Sequence, residues 1–336
     1  MHHVEKPGKS GIDFPLLKNV PIHKNKEWTM GISIREAGSA EMKKNVNTVR
    51  KMTSGMGFDE NMGTVNWKMI RRITSFGYRF MPKEKGVRFK KIMLGGRKAL
   101  LSCYGETDDR NIILYIHGGG FVSGSGMSSK GYSSCLAKYS GYKVIALDYS
   151  LSPEHKYPDA LRDCCVAFQK IRKKYPASKI SLVGESAGGN LCLALALKVK
   201  DKSAISAVIV HSPFVDFSGS LDRSEHEIDD FTVKEGCLVP LREIYVGGAD
   251  LKNPYVSPLF GNYKDFPPTF ITCDYNETLY ADSAAIYRRC EEAGVDAEMV
   301  VMKGTFHAFA TIGTGTPGTK KILDENIDFI NKHLFF

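Results

Sequence analysis

The sequence predicts an α/β fold in which a mostly parallel central sheet is covered by helices on both faces. From residue 86 onward, short apolar stretches typical of strands alternate with longer amphipathic stretches typical of helices. A buried strand, a tight turn and a helix follow one another between Lys179 and Lys200. Functional groups of such sheets gather at the carboxyl ends of the strands, so we expect a site at that edge.

The alternating pattern predicts seven strands and five helices. The strands are expected at Lys98–Tyr104, Ile112–Ile116, Lys143–Leu147, Lys179–Val183, Ala207–Val210, Thr269–Cys273 and Ala297–Met302. The helices are expected near Gly131–Ser140, Tyr157–Lys174, Leu191–Lys200, Ala281–Ala293 and Lys320–His333.

Two stretches depart from this alternation. Residues 1–85 lack strand alternation, and the apolar spacing predicts helices at Ser39–Thr53 and Thr64–Phe80, joined by a flexible linker at 54–58. The stretch 214–268 is too long for a plain connection between two strands. We therefore expect a helical insertion there, which forms a lid and an acyl pocket together with residues 1–85.

The charge of the chain is unevenly distributed. The net charge is +9, but residues 1–100 hold 21 Lys and Arg against 8 Asp and Glu, which makes that part +13 and the rest −4. Such an excess either guides anionic substrates or a membrane surface, or is a solvated helical face. The second interpretation is favoured, and no nucleic-acid partner is predicted, because no basic motif interleaved with aromatic residues is present.

Composition also bears on location. No apolar run is long enough to span a membrane, and the start of the chain lacks the apolar core of a signal peptide, so we expect a cytoplasmic protein without an integral membrane segment. The eight cysteines show no C-x-x-C spacing and are expected to be reduced thiols. The oligomeric state is left open, with a homodimer as one option.

The turn between the strand and the helix at 179–200 contains Gly184-Glu185-Ser186-Ala187-Gly188. This is the G-x-S-x-G pattern, in which a serine at the tip of a strained turn exposes its hydroxyl. Small neighbours are needed because the strand and helix backbones approach closely. The pattern predicts Ser186 as a nucleophile, and the helix that follows directs backbone N–H groups towards it.

Three consecutive glycines, 118–120, follow His117 at the end of a predicted strand. Without side chains, their backbone N–H groups can approach a bound oxygen, as an oxyanion hole requires. A phosphate-binding loop is the competing interpretation, but G-x-G-x-x-G and the lysine of a nucleotide loop are missing. The next strand end, Asp148–His155, predicts a turn whose polar residues hold loops together.

Taken together, HGGG, DYSLSPEHKYP and GESAGG resemble the hormone-sensitive-lipase-like family of α/β-hydrolase esterases, from about residue 86 to the C-terminus. The resemblance implies an α/β-hydrolase catalytic domain at 86–336, with the insertion near 214–268 contributing to a helical cap formed by residues 1–85. It also implies that the oxyanion N–H groups come from Gly119, Gly120 and Ala187.

A serine nucleophile needs a base and an orienting carboxylate, which follow the serine in the order acid, then histidine. Of the downstream histidines, His307 lies in a loop after the last apolar strand, and it matches the family pattern G-x-x-H-x-F, so it is the predicted base. His211 precedes a Ser-Pro turn and is interpreted as packing or substrate-side polarity, whereas His333 ends the terminal helix.

Three carboxylates compete for the role of the acid. Asp274, Glu277 and Asp282 follow the strand at 269–273. Glu277 resembles the acid motif of the family, in which Asp or Glu precedes an aliphatic residue by two, so it is the predicted acid. Asp274 is the alternative, and Asp282 is expected to anchor the helix.

These residues predict a serine carboxylic-ester hydrolase that acts on small-molecule esters and needs no metal or organic cofactor. The resemblance to the family implies short acyl chains. Two alternatives remain. One is an acyltransferase or amidase with the same triad. The other is a non-catalytic ligand-binding protein on the same scaffold, which the presence of His307 disfavours.

Overall fold

A computed structural model describes residues 31–53, 59–77, 82–224 and 227–334, and these form a single sheet of nine strands. The strands are β1 Ile32–Glu36, β2 Val87–Leu94, β3 Arg97–Tyr104, β4 Asp108–Ile116, β5 Tyr142–Leu147, β6 Lys179–Glu185, β7 Ile205–His211, β8 Thr269–Asp274 and β9 Ala297–Lys303.

Eight α-helices accompany the sheet in the described residues. They are α1 Ala40–Thr53, α2 Trp67–Gly77, α3 Lys130–Ser140, α4 Asp159–Lys174, α5 Ala187–Lys198, α6 Leu238–Tyr245, α7 Tyr280–Glu292 and α8 Pro317–Lys332. All seven predicted strands and all five predicted helices after residue 86 are confirmed, with ends that differ by up to four residues.

The strand order is β1-β9-β8-β7-β6-β4-β5-β3-β2. The six neighbouring pairs from β1 to β5 are parallel, whereas β5–β3 and β3–β2 are antiparallel, which confirms a mostly parallel sheet. The central strands are mostly apolar in their inner parts, as expected where helices cover both faces of a sheet. The core on one face includes residues of α4, α5 and α7, and the core on the other includes residues of α3 and α8.

The expectation that residues 1–85 lack a strand is wrong. β1 pairs in parallel with β9, with Ile32 opposite Met299. The alternation Ile32-Ser33-Ile34-Arg35 is a strand signal, but Ile34 is 41% exposed, so this edge strand has no clean buried face. The division of the chain at residue 85 stays a prediction.

The two helical patterns before residue 86 are present in part. α1 matches the expected span, whereas the helix predicted at Thr64–Phe80 begins only at Trp67, as α2, and a 3₁₀ turn at Glu60–Thr64 precedes it. The Trp67 indole N–H donates to the Met62 carbonyl at 3.1 Å and fixes the corner between the two. The linker at 54–58 and the end of the second pattern, residues 78–81, lie outside the described residues.

Residues 214–268 connect β7 to β8 and contain α6 together with 3₁₀ turns at Glu235–Cys237 and Pro258–Phe260. α6 packs against the 3₁₀ turn at Glu60–Thr64. This arrangement brings the insertion and the N-terminal region together near the carboxyl ends of the strands.

Within the described residues, no helix has both the length and the apolar content needed to cross a bilayer. All eight cysteines lie in the described part of the chain and are free thiols. Six of them are buried, as the sequence interpretation of core cysteines expects, whereas Cys103 and Cys165 are half-buried.

Candidate active site

Ser186 occupies the turn between β6 and α5. Its backbone has φ 55° and ψ −121°, a strained conformation for a residue with a side chain. The Ser186 N–H donates to the His211 carbonyl at 2.9 Å, which ties the turn to β7. A Cβ atom at Gly188 would lie 2.0 Å from the Ile116 carbonyl oxygen, so only glycine fits where α5 crosses β4.

His307 and Glu277 are joined by a hydrogen bond. The His307 Nδ1 lies 3.1 Å from the Glu277 Oε2, and the two side chains are 9% and 1% exposed. With the carboxylate accepting from Nδ1–H, the Nε2 atom carries the lone pair and can take a proton. In this structure the His307 Nε2 has no hydrogen-bond partner among the described residues, and Ser186 and His307 line the same cavity.

Burial and charge act in opposite directions on this pair. Burial lowers the pKa of His307, but the hydrogen bond and charge of Glu277, with further charge from Asp230 and Glu185, raise it above its ordinary value overall. Burial raises the pKa of Glu277, against the hydrogen bond and charge of His307. The electrostatics therefore favour an imidazolium at His307 while Glu277 is ionised.

The other sequence candidates are engaged elsewhere. Asp274 accepts from the Thr305 N–H at 2.8 Å and holds the start of the His307 loop. Asp282 is fully buried and pairs with Arg223 at 2.8 Å, as expected of a helix anchor. His211 is buried next to Tyr132, and burial lowers its pKa to about 3, so it is neutral.

His333 caps the end of α8 and lies 3.4 Å from Asp296. Of the four histidines downstream of Ser186, His226 falls outside the described residues. Among the three that are described, the structure brings only His307 to the cavity that contains Ser186.

The glycine loop after β4 is held by a half-buried carboxylate. Glu185 accepts the Gly118 N–H at 2.6 Å and the Tyr115 hydroxyl at 2.5 Å. Gly119 has φ 102°, a conformation that favours glycine, and a Cβ there would lie 2.5 Å from the Ser123 carbonyl. Burial raises the pKa of Glu185 to about 7. The three residues predicted to form the oxyanion hole, Gly119, Gly120 and Ala187, all line the cavity.

The cavity that joins these groups has a volume of about 270 Å³. One wall is apolar, and the insertion supplies most of it. The apolar lining residues are Phe121, Phe214, Val233, Cys237, Leu238, Leu241 and Leu279.

Two aromatic residues of the insertion, Phe217 and Tyr245, pack behind this wall. Tyr245 stacks on Phe121 with 3.7 Å between the ring centroids, and Phe217 lies 5.9 Å from the same ring. Neither residue lines the cavity. Met42 and Met62 of the N-terminal region are buried in the core and do not line the cavity.

Sequence reasoning missed two polar residues at this site. Ser212 donates to the Glu277 Oε2 at 2.9 Å and accepts the Ala308 N–H at 3.0 Å, so it links the acid to the histidine loop. Its position directly after β7 is the signal that identifies it. Asp230 lies beside Glu277 and His307, but no motif surrounds it in the sequence.

One cluster among the described residues has potential metal-ligand geometry. Atoms of Asp230, Glu277 and His307 lie within 4.8 Å of one another. Hydrogen bonds within the protein account for this grouping, because His307 bonds to Glu277 and Asp230 accepts from Thr232 and Thr278. We therefore assign the cluster to the histidine–carboxylate pair and its surroundings.

Comparisons with known proteins agree with this architecture. Residues 113–311 match the family described as the alpha/beta hydrolase fold. The chain is 27% identical to an "Esterase" of Acinetobacter venetianus over 256 residues, which is 75% of this chain and 84% of that protein. It is also 27% identical to an "Acetyl-hydrolase" of Streptomyces hygroscopicus, over 60% of this chain and 69% of that protein.

Solved structures extend the likeness to the fold as a whole. A hormone-sensitive lipase from a metagenome library superposes with a TM-score of 0.76 at 28% identity, covering 87% of this chain and 98% of that one. An esterase from the bacterial hormone-sensitive lipase family gives a TM-score of 0.79 at 25% identity, covering 89% and 99%. The chain therefore belongs to the alpha/beta hydrolase fold family, as a carboxylesterase of the hormone-sensitive-lipase-like group.

Proposed function

We propose that this protein is a serine hydrolase that cleaves short-chain carboxylic esters through an acyl-serine intermediate. Ser186 attacks the ester carbonyl, and His307 takes the serine proton and then gives it to the leaving alcohol. Glu277 holds the imidazole in the required tautomer. Water, activated by the same histidine, then releases the acid and restores the serine.

The observation that carries the proposal is that one cavity is lined both by Ser186 and by His307, whose Nδ1 is bonded to Glu277. The N–H groups of Gly119, Gly120 and Ala187 are the proposed donors to the oxyanion of the tetrahedral intermediate.

The acyl-chain preference is inferred from the cavity. A volume of about 270 Å³ with one apolar wall suits a short acyl chain better than a long one. Acetyl to hexanoyl esters are therefore the proposed substrates. The alcohol half of the substrate is not part of this proposal.

Hydrolysis of p-nitrophenyl acetate and labelling by a fluorophosphonate test the proposal. Ser186→Ala should abolish both. A matched control is Ser181→Ala on the preceding strand β6, because the Ser181 hydroxyl bonds to Asn111 and Ser206 and Ser181 does not line the cavity. The control should retain both signals, and full activity in Ser186→Ala would refute the mechanism.

A further inference from the structure

Asp230 lies in the insertion between β7 and α6, and it is 6% exposed. Its Oδ1 accepts from the Thr232 N–H at 2.8 Å, the Thr232 hydroxyl at 2.6 Å and the Val233 N–H at 2.9 Å. Its Oδ2 accepts from the Thr278 N–H at 3.1 Å. Four donors therefore fix one buried carboxylate, and one of them belongs to the residue after Glu277.

The same carboxylate lies beside the base. One oxygen of Asp230, one oxygen of Glu277 and one ring nitrogen of His307 all lie within 4.8 Å of one another. The imidazole thus faces two carboxylates that come from different segments, one from the β8–α7 loop and one from the insertion. In a partly desolvated site, charges at this distance interact much more strongly than they do in water.

We propose that Asp230 is a positioning residue of the reaction, which anchors the Glu277 loop through Thr278 and supplies a second negative charge to the imidazolium of His307. The inference rests on the proposed function, in which the proton of Ser186 moves to His307. The positive charge that develops there is stabilised by Glu277 through the hydrogen bond and by Asp230 through space.

Asp230 also connects the base to the substrate wall. Thr232 and Val233, whose N–H groups it accepts, line the cavity. The hydroxyl of Thr278 donates to the Val233 carbonyl at 2.6 Å, which fixes the same two segments from the other direction. The insertion therefore shapes the acyl wall and sets the charge around the base through one side chain.

A comparison of two aspartate variants tests the proposal. Asp230→Asn keeps an oxygen that can accept from Thr232 and Val233 but removes the charge. Asp216→Asn is the matched control, because Asp216 is also buried in the insertion and accepts the N–H groups of Ser218 and Leu221. The measured quantity is kcat/KM against pH with p-nitrophenyl acetate.

In Asp230→Asn we expect kcat/KM at neutral pH to fall about tenfold, a loss short of removing the base. The acid limb of the profile should move to lower pH, because the variant no longer has the Asp230 charge that raises the pKa of His307. Asp216→Asn should leave the acid limb where the wild type has it. Asp230→Glu keeps the charge, so its acid limb should lie at the wild-type pH even if its kcat/KM stays low.

An acid limb that does not move in Asp230→Asn would overturn the proposal and would leave Asp230 as a loop anchor only. The titration of His307, followed by NMR on protein with ¹³C-labelled histidine and assigned with His307→Asn, gives a readout that does not need activity. If Ser186→Ala keeps its esterase activity, the proposed function fails. The NMR titration still decides whether Asp230 acts on His307, and an unshifted resonance rejects that role.

Discussion

At the scale of single residues, the site depends on the tautomer of His307. His307 Nδ1 is bonded to the Glu277 Oε2, which also accepts from Ser212. This bond places the ring proton on Nδ1 and leaves the lone pair on Nε2. A neutral amide at position 277 can donate as well as accept, so it no longer selects this tautomer.

Glu277→Gln is therefore expected to fold normally and to lower kcat by about 10³ to 10⁴-fold, as loss of the orienting carboxylate does in other triads. The measurement is steady-state hydrolysis of p-nitrophenyl acetate together with circular dichroism. Asp274→Asn is the comparison, since Asp274 binds Thr305 instead of His307 and should lose far less. Near-normal turnover in Glu277→Gln would show that another carboxylate orients His307.

The raised pKa of Glu185 makes the stability of the protein depend on pH. Burial raises its pKa from 4.5 to about 7, so between those pH values the folded protein keeps a proton that the unfolded chain has released. Its contribution to the free energy of unfolding is therefore greatest at low pH and declines as pH rises through this window.

Glu185→Gln should remove that decline. Relative to the wild type, the variant should gain stability between pH 5 and pH 7, by on the order of 2 kcal/mol. Urea unfolding of both proteins at several pH values measures the difference, in which the effects of other titrating groups cancel. A constant difference across this range would mean that Glu185 is already ionised at pH 5 in the folded protein.

At the scale of elements, α6 separates the acyl wall from solvent. Leu238 and Leu241 face the cavity, whereas Val239 on the same helix is 55% exposed. The apolar face of this short helix thus forms part of the wall that would limit the depth available to an acyl chain.

Leu241→Ala should extend the range of acyl chains. We expect the ratio of kcat/KM for octanoate to that for acetate to rise by several-fold, since each additional buried methylene contributes about 0.8 kcal/mol. A series of p-nitrophenyl esters measures the ratio, with Val239→Ala as the control that should not change it. An unchanged series in Leu241→Ala would assign the acyl chain to another wall.

Elements with strong local signals could be predicted from the sequence. The strand, turn and helix around Ser186 are encoded by an apolar run, small residues and a second apolar run, all within about twenty residues. The edge strand β1 has only a short half-exposed alternation, and its partner β9 is more than 260 residues away. Pairing at that distance leaves no local pattern to recognise.

The same distinction applies to the site. Ser186, Glu277 and His307 each follow a strand, so the rule for strand ends identifies them. Asp230 lies in an irregular segment, and its role depends on contacts with residues 48 and 77 positions further along the chain. Such a residue becomes visible only after the chain has folded.

At the scale of the whole molecule, a buried ion pair joins the insertion to α7. Arg223 donates to Asp282 at 2.8 Å, with side chains that are 5% and 0% exposed, and Asp282 also accepts the Val215 N–H. Burial raises the pKa of Asp282 to about 6, which Arg223 counteracts. Removal of the cation would leave an uncompensated buried carboxyl.

Arg223→Met should lower the free energy of unfolding by about 3–5 kcal/mol at pH 8. Lys320→Met is the control, because Lys320 pairs with Asp324 on the surface of α8, where such pairs contribute below about 1 kcal/mol. Urea denaturation of the purified proteins gives both values. Equal losses of unfolding free energy in the two variants would show that the Arg223–Asp282 pair contributes no more to stability than a surface pair.

The position of β1 has a consequence for biosynthesis. The chain leaves the ribosome from its N-terminus, yet β1 pairs with β9, which ends at Lys303. β2 to β8 are therefore synthesised before β1 has a strand to pair with. Among the described strands, β1 is therefore made first but can pair only after β9 has been made.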